Sequence, residues 1–305
     1  MKILVTGANG QVGWELARSL LPLGEVMALD RREFDLSAPD SLPATLDALA
    51  PDVIVNAAAY TAVDLAEDEE ALATRINGEA VAVMARWAAA HRALLVHYST
   101  DYVFDGSKAT PYVESDTPCP INAYGRSKLA GEQALAASGA DYLCLRVSWV
   151  YADRGKNFLR TMLRLGAARE ELAVISDQQG VPTGARQIAD ATLALVAVAM
   201  IRRREGGFRG GLYHMTPSGQ TSWHGFAEKI FELASGAGRE LAVRRVRAIP
   251  SSDYPVKARR PLNSLMDSRR LAEDYGVSLP VWSCGVELLI RSAAASGLLA
   301  NGLAG

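Results

Sequence analysis

The first half of the chain alternates between short, continuous apolar runs and segments whose apolar residues recur at three- and four-residue spacing. Continuous apolar runs are typical of parallel strands buried on both faces, and the wider spacing is typical of amphipathic helices. The runs lie at 2–6, 25–30, 52–58, 93–99 and 142–147, and the helical segments lie at 12–21, 66–91 and 123–138. This alternation predicts an α/β fold with a Rossmann-like, doubly wound parallel sheet.

The pattern changes after about residue 150, where loops rich in glycine and proline separate shorter elements. Helices are predicted at 158–169, 186–203 and 222–235, and short strands at 172–175, 212–214 and 243–248. We therefore predict a dinucleotide-binding domain at 1–150 and a smaller, mixed α/β, mainly substrate-binding domain at 151–290. Some later segments are expected to return to the first domain. Residues 291–305 are low in complexity and are expected to fray.

Composition excludes several classes of partner. The net charge is −2, with no long basic run, which favours neither nucleic acid nor an acidic membrane surface. No apolar run approaches the ~20 residues of a membrane span, and the first strand and glycine turn come too early for a signal peptide. The three cysteines are far apart and are expected to be reduced, buried thiols. We expect a soluble, cytoplasmic protein.

A glycine-rich turn joins the first strand to the first helix, with Gly7, Gly10 and Gly13 in GxxGxxG spacing. Such a turn lets the backbone approach a pyrophosphate, which the N–H groups of the following helix then bind. Asp30 ends the second strand, where a carboxylate can hold ribose hydroxyls and favour NAD. Arg31 and Arg32 could receive a 2′-phosphate or could be solvated turn residues. We predict that both NADH and NADPH are used.

Two further patterns indicate carbonyl chemistry. The fourth strand ends in Ser99, Thr100 and Asp101, and Tyr124 and Lys128 are four residues apart at the start of a helix. That spacing places the last two side chains on one helix face. A neighbouring ammonium favours phenolate and lowers the pKa of a tyrosine, which would suit it as a general acid.

Four motifs occur in order: GxxGxxG at 7–13, NAAAYT at 56–61, the serine–threonine strand end at 99–100, and YxxxK at 124–128. In this set the chain resembles the extended branch of the short-chain dehydrogenase/reductase superfamily, which acts on nucleotide sugars. More narrowly, the chain resembles the dTDP-4-dehydrorhamnose reductase family from residue 1 to about residue 285. Among the blocks that carry this resemblance are PDVIVNAAAYTAVD, VHYSTDYVFDG and ARRPLNS.

The resemblance implies that NAD(P)H gives a hydride to C4 of dTDP-4-dehydro-L-rhamnose, forming dTDP-L-rhamnose. Tyr124 would protonate the alkoxide, Lys128 would bind the nicotinamide ribose and lower the pKa of Tyr124, and Thr100 would orient the C4 oxygen. The residues expected at the dinucleotide, besides Tyr124 and Lys128, are Gly7, Gly10, Gln11, Val12, Gly13, Asp30, Arg31, Asp35, Leu36, Ala59, Tyr60 and Thr61. Those expected at the sugar nucleotide are Thr100, Asp101, Trp149, Arg259 and Arg260, with the two arginines suited to its diphosphate.

Some of these assignments have simple alternatives. Trp149 could be a core residue, and one of Arg259 and Arg260 could form an ordinary salt bridge. Some members of the family hold Mg²⁺ through carboxylates at a dimer interface. Glu15 is available here, but Arg186 stands where such a member needs an acid, so we predict no metal and leave a homodimer open.

Three other functions compete with the reductase. A 4,6-dehydratase resembling this chain would carry an acid and then a base after the strand-end threonine, and here Tyr102 replaces the base. A 4-epimerase is excluded less firmly. From another class, a related branch serves as a non-catalytic, nucleotide-binding regulatory subunit of methionine adenosyltransferase. Intact Thr100, Tyr124 and Lys128 favour catalysis.

Overall fold

The protein is built on a parallel sheet with helices on both faces, and a computed structural model describes residues 1–295. In chain order, its strands are β1 Lys2–Thr6, β2 Glu25–Leu29, β3 Val53–Asn56, β4 Leu94–Thr100, β5 Asp141–Val147, β6 Val150–Tyr151, β7 Glu171–Ile175, β8 Gln179–Gly180, β9 Thr183–Gly184, β10 Gly211–His214, β11 Pro217–Ser218, β12 Thr221–Ser222, β13 Arg245–Ile249 and β14 Leu279–Val281. Its α-helices are α1 Gln11–Ser19, α2 Leu42–Leu49, α3 Glu70–Thr74, α4 Ala80–His91, α5 Ala123–Ala137, α6 Phe158–Ala168, α7 Ala185–Glu205, α8 Trp223–Gly236, α9 Arg269–Tyr275 and α10 Trp282–Ala295.

The main sheet has the strand order β10-β5-β4-β3-β1-β2 within residues 1–295, and each of its pairings is parallel. Every residue of β3 and β4 is buried, as continuous apolar runs require. Side chains of α1 and α7 cover one face of the sheet, and those of α2 and α4 cover the other. The doubly wound α/β fold is therefore confirmed, and β10 is a late segment that joins the first sheet.

The segment 66–91, expected as one helix, is divided in the structure. A short 3₁₀ turn at Leu65–Glu67 precedes α3, and a π-helical turn at Arg75–Glu79 separates α3 from α4. Within that turn the amide of buried Asn77 bonds both backbone groups of Tyr60, accepting from its N–H and donating to its carbonyl. Such π-turns occur frequently at functional sites. Helices α2, α9 and α10 also went unpredicted.

The second part of the chain, from residue 151 to residue 295, packs α6, α8 and α10 around a separate apolar core. Asn157 begins α6 by accepting a hydrogen bond from the Arg160 N–H, and Ser222 begins α8 in the same way. Residues 291–295 continue α10 instead of fraying, and the rest of the predicted tail lies outside the described residues.

Two further expectations concern the surface. Cys144 is buried and Cys284 half-buried, but Cys119 is exposed in the loop before α5, so the expectation of buried thiols was wrong for that residue. In the part of the chain that the structure describes, no helix is long and apolar enough to cross a membrane.

A buried ion pair ties α5 to the main sheet. The Arg146 guanidinium on β5 donates to both carboxylate oxygens of Glu132 on α5, at 2.8 and 2.6 Å. The Ser99 hydroxyl on β4 donates to the same carboxylate at 2.5 Å. Arg146 is 1% exposed, so either charge left alone would be poorly solvated.

Replacing Glu132 with glutamine keeps the side chain's size but leaves the Arg146 charge buried without its partner. We expect Glu132→Gln to lower the free energy of unfolding by roughly 3–5 kcal/mol. The matched control is Glu70→Gln, which removes a carboxylate from the exposed pair with Arg126 and should cost ~0–1 kcal/mol. Urea unfolding followed by circular dichroism measures both losses, and equal losses would contradict this account of the buried pair.

Candidate active site

The carboxyl end of β4 forms the centre of the site. The Thr100 hydroxyl donates to Asp101 Oδ1 at 3.0 Å and accepts from the Tyr102 N–H at 3.2 Å. The chain then turns through a short 3₁₀ helix at Asp101–Val103. Thr100 and Asp101 are 5% and 2% exposed, so this polar strand end lies inside the protein, and its side chains are held in fixed orientations.

Helix α5 brings Tyr124 next to this strand end. Asn122 caps the helix by accepting from the Gly125 N–H at 2.7 Å. The Thr100 hydroxyl is close enough to hydrogen bond to Tyr124, and the Tyr102 ring meets the Tyr124 ring edge-on, with centroids 5.9 Å apart. The structure therefore brings Thr100, Asp101 and Tyr124 together, as the sequence suggested.

The electrostatics of Tyr124 differ from the expectation. Burial raises the pKa of its phenol; the Thr100 hydrogen bond opposes this effect, and the Asp101 carboxyl adds to it. Lys128 Nζ donates instead to the Tyr98 carbonyl on β4. The prediction of a pKa lowered by Lys128 was wrong, because desolvation of the phenolate dominates at this position.

Lys128 is itself perturbed by its surroundings. It is 2% exposed, and burial lowers the pKa of its ammonium to about 8, against the opposing effects of Cys144 and Glu132. Lys128 Nζ lies 3.4 Å from His97 Nε2, and burial together with the Lys128 charge lowers the pKa of that imidazole. Among these groups, the ammonium is therefore the one that titrates in the alkaline range.

Asp101 has an unusual environment for a carboxylate. Burial raises its pKa to about 6, although the neighbouring hydroxyls of Ser264 and Thr100 lower it. Its Oδ2 atom is buried and, within the described residues, has no hydrogen-bond partner. Perturbed titrating groups of this kind concentrate at functional sites.

The glycine turn fits a dinucleotide. Gly7 has a φ of +70°, and a Cβ placed at Gly13 would lie 2.1 Å from the Gly7 carbonyl oxygen. The backbone can fold this tightly only without those side chains. Helix α1 begins at Gln11 without a side-chain cap, so its first N–H groups are available to an anion. The Val12 side chain packs on the core beneath.

Asp30 and the residues after it lie beside the glycine turn. Asp30 accepts from the Asn9 amide at 2.8 Å and from the Arg32 N–H, which fixes its carboxylate near the glycine turn. Arg31 Nε lies 3.5 Å from Asp35 Oδ1, and the Arg31 side chain is 76% exposed. The Leu36 side chain lies in the core, so only its backbone could contact a ligand.

Residues 59–61 follow β3, at the carboxyl end of the main sheet. The Tyr60 hydroxyl donates to Glu69 Oε2 at 2.7 Å, and burial raises the pKa of that phenol to about 12. Ala59 is half-buried, and Thr61 is exposed. This short segment lies between the glycine turn and α5, because β3 is adjacent to both β1 and β4 in the sheet.

The remaining candidates are Trp149, at the end of the main sheet, and Arg259 and Arg260, in the second part of the chain. Trp149 follows β5 and stacks on Trp223, so the core-packing alternative applies to part of its indole. Arg260 donates to both carboxylate oxygens of Asp64, at 3.1 and 2.7 Å, and is therefore the salt-bridged arginine of its pair. Arg259 is exposed.

Sequence reasoning missed three residues that the structure places around the site. They are Ser264 beside Asp101, Trp223 against Trp149, and Asn157, whose amide donates to Gln11 Oε1 at 2.8 Å. Ser264 ends the ARRPLNS block and Asn157 precedes a predicted helix, so position gave a weak signal for both. Nothing local to the sequence indicated Trp223.

Known proteins resemble this chain over most of its length. Residues 1–295 match the family model described as the RmlD substrate binding domain. The chain is 56% identical over 294 residues to the dTDP-4-dehydrorhamnose reductase of Burkholderia thailandensis, covering 95% of this chain and 98% of that one. It is 45% identical to the reductase of the same name from Escherichia coli, over 95% of this chain and 97% of that one.

Solved structures give the same result. The dTDP-4-dehydrorhamnose reductase of Bacillus anthracis, in complex with NADP, superposes with a TM-score of 0.85 at 34% identity, covering 95% of this chain and 99% of that one. A reductase of the same name from Clostridium acetobutylicum gives a TM-score of 0.86 at 34% identity, covering 96% and 99%.

The environment of Asp101 predicts a pH effect on stability. Its pKa of about 6 in the folded protein is above its ordinary 3.8, so between these values the folded state holds a proton that the unfolded state has released. Stability should therefore fall as pH rises through this window. We expect the free energy of unfolding of Asp101→Asn, relative to that of the wild type, to rise by roughly 2–3 kcal/mol between pH 3.8 and about pH 6. Above that window the difference should stay constant.

Urea unfolding at several pH values from 4 to 7 measures this difference. The control is Asp253→Asn, at an exposed carboxylate on a surface turn, which should keep a constant offset from the wild type. A constant offset for Asp101→Asn would show that this carboxyl does not titrate in the window.

Proposed function

The chain belongs to the RmlD substrate binding domain family, and we propose that it reduces the C4 ketone of dTDP-4-dehydro-L-rhamnose to give dTDP-L-rhamnose. The observation that carries this proposal is the junction of β4 and α5, where the buried Thr100 and the partly buried Tyr124 are neighbours. The names of its relatives at up to 56% identity supply the substrate. The enzyme is thus an NAD(P)H-dependent oxidoreductase.

Tyr124 acts as the general acid. The phenol is protonated at neutral pH, as a tyrosine ordinarily is, and burial raises its pKa further, so it is present in the form that a reduction consumes. When bound, the nicotinamide supplies the hydride for C4. The Tyr124 O–H then gives its proton to the C4 oxygen, which becomes a hydroxyl, while Thr100 orients that oxygen. Lys128 would bind the nicotinamide ribose, and it holds α5 against β4 by donating to the Tyr98 carbonyl.

The two parts of the chain divide the binding work. The first part binds the dinucleotide through the glycine turn, Asp30 and the segment after β3. The phosphates of the dinucleotide bind the N–H groups at the start of α1. The second part closes over the sugar nucleotide, with Trp149 against the sugar and Arg259 available to its diphosphate. Arg260 serves mainly to join the two parts through Asp64.

Reduction is favoured over elimination at this site. A dehydratase needs a base after the strand-end threonine, and this chain has Tyr102 there. Burial and the nearby Asp101 raise the pKa of the Tyr102 phenol, despite the opposing charge of Arg260. The phenol therefore stays protonated, and it is a poor base at neutral pH.

Location and assembly are further proposals. We propose a cytoplasmic protein, supported by the absence of a membrane-spanning helix within residues 1–295 and by the cysteine pattern. We also propose that a homodimer would form without a shared metal. Glu15 accepts a hydrogen bond from Arg18 and lies 3.7 Å from Arg186 Nε, so its carboxylate already has cationic partners. Light scattering with and without a chelator tests the assembly.

Removing the phenol hydroxyl should abolish most of the activity. We expect Tyr124→Phe to lower kcat by about 10²- to 10⁴-fold, because the C4 oxygen loses its proton donor. Consumption of NADPH with enzymatically generated dTDP-4-dehydro-L-rhamnose measures the rate. The matched control is Tyr142→Phe at the start of β5, where a half-buried tyrosine lies away from the junction. Undiminished turnover in Tyr124→Phe would exclude this mechanism, and no turnover by the wild type would favour a non-catalytic, nucleotide-binding role.

Arg31 should distinguish the two cofactors. Its exposed guanidinium can meet a 2′-phosphate, and a hydrogen bond to a charged group contributes ~1.5–3 kcal/mol. We therefore expect Arg31→Ala to raise KM for NADPH by about tenfold or more and to leave KM for NADH nearly unchanged. Steady-state kinetics with each cofactor provides the internal control. Equal changes in both values would exclude recognition of the 2′-phosphate by Arg31.

A further inference from the structure

The backbone of Trp149 has an uncommon conformation. Its φ is +46°, in the left-handed region that residues other than glycine rarely adopt. Ala50 and Arg92 share this region, but each of them ends a helix, where such a conformation is usual. Trp149 lies instead between β5 and β6, at the carboxyl end of the main sheet. A conformation of this kind persists only where surrounding groups hold it.

Contacts from the second part of the chain hold the Trp149 side chain. The Trp223 ring stacks on it, with centroids 3.6 Å apart and planes within 10°. On the indole edge, a Cβ placed at Gly180 would lie 2.4 Å from Cε2 and 2.8 Å from Nε1. Gly180 therefore leaves the space that the indole fills. The Trp149 carbonyl also accepts from the Thr183 N–H, at 3.3 Å.

Trp223 is itself fixed on several sides. It is the first residue of α8, directly after the cap residue Ser222. Its indole N–H donates to the side-chain oxygen of buried Gln178 at 3.2 Å. The Phe158 ring packs against it with centroids 4.7 Å apart. Trp223 is thus a rigid platform on the second part of the chain, and it faces a strained residue at the end of the main sheet.

We infer that Trp223 is a positioning residue, which holds Trp149 in its left-handed conformation and thereby sets how tightly the sugar nucleotide binds. Gly180 is the second part of this device, because it admits the indole edge. The inference rests on the proposed function, since it takes Trp149 as a contact of the sugar nucleotide. The glycine turn is not part of this cluster, so binding of the dinucleotide should be independent of the stack.

The test compares a leucine and a phenylalanine at position 223. Without an aromatic platform Trp149 can leave its conformation, and we expect Trp223→Leu to raise KM for the sugar nucleotide by about tenfold or more, as small misplacements of binding groups do. Trp223→Phe keeps a ring for stacking and should stay within about threefold of the wild type. Gly180→Ala should act in the same direction as Trp223→Leu. The dissociation constant for NADPH should be unchanged in every variant.

The control for a merely structural effect is Phe231→Leu. Phe231 lies on the same helix and in the same core as Trp223, and its ring packs against Gly166. We expect this variant to lower the melting temperature without raising KM. An unchanged KM in Trp223→Leu, or an equal rise in Phe231→Leu, would overturn the inference alone. No turnover by the wild type would overturn the proposed function, and the inference with it.

Discussion

Helix α5 lies against the end of β4 and the adjacent π-turn at backbone contact distance, and the rest of the site depends on this packing. A Cβ at Gly125 would lie 2.1 Å from the Tyr102 carbonyl oxygen, and one at Gly131 would lie 2.3 Å from the Asn77 carbonyl oxygen. Two glycines on α5 therefore permit an approach that side chains would prevent. Since Tyr124 and Lys128 are on the same helix, their positions relative to Thr100 follow from this contact.

The close packing of α5 is matched by polar groups that satisfy one another beneath it. The Asn77 amide bonds both backbone groups of Tyr60, in the segment after β3, and donates to the Ser127 hydroxyl on α5. Further along the helix, Glu132 accepts a hydrogen bond from Arg146 on β5. A dry interior strengthens each of these bonds and penalises any group left without a partner. The same dryness raises the pKa of Asp101 and lowers that of Lys128.

The sequence was sufficient for the strands of the main sheet and for the YxxxK helix, because continuous apolar runs and helical spacing are local patterns. It was not sufficient for the direction of the Tyr124 pKa, since spacing shows that Lys128 shares a helix face but not that its ammonium bonds the Tyr98 carbonyl. The break in the helix at Asn77 coincides with a contact to Tyr60, which lies 17 residues earlier in the sequence. Trp223 likewise could not be predicted as a site residue, because its role depends on stacking against Trp149, which is distant in sequence.

Burial gives Tyr124 and Lys128 complementary properties. A phenol whose pKa is raised stays protonated, so it can give a proton but cannot easily remain a phenolate. An ammonium whose pKa is lowered to about 8 is still mostly charged at neutral pH, but its pKa is only about one unit above that pH. After Tyr124 has given its proton, the phenolate would be stabilised by the adjacent Thr100 hydroxyl. The junction therefore holds a protonated phenol, which is the kind of group from which a ketone reduction takes its proton.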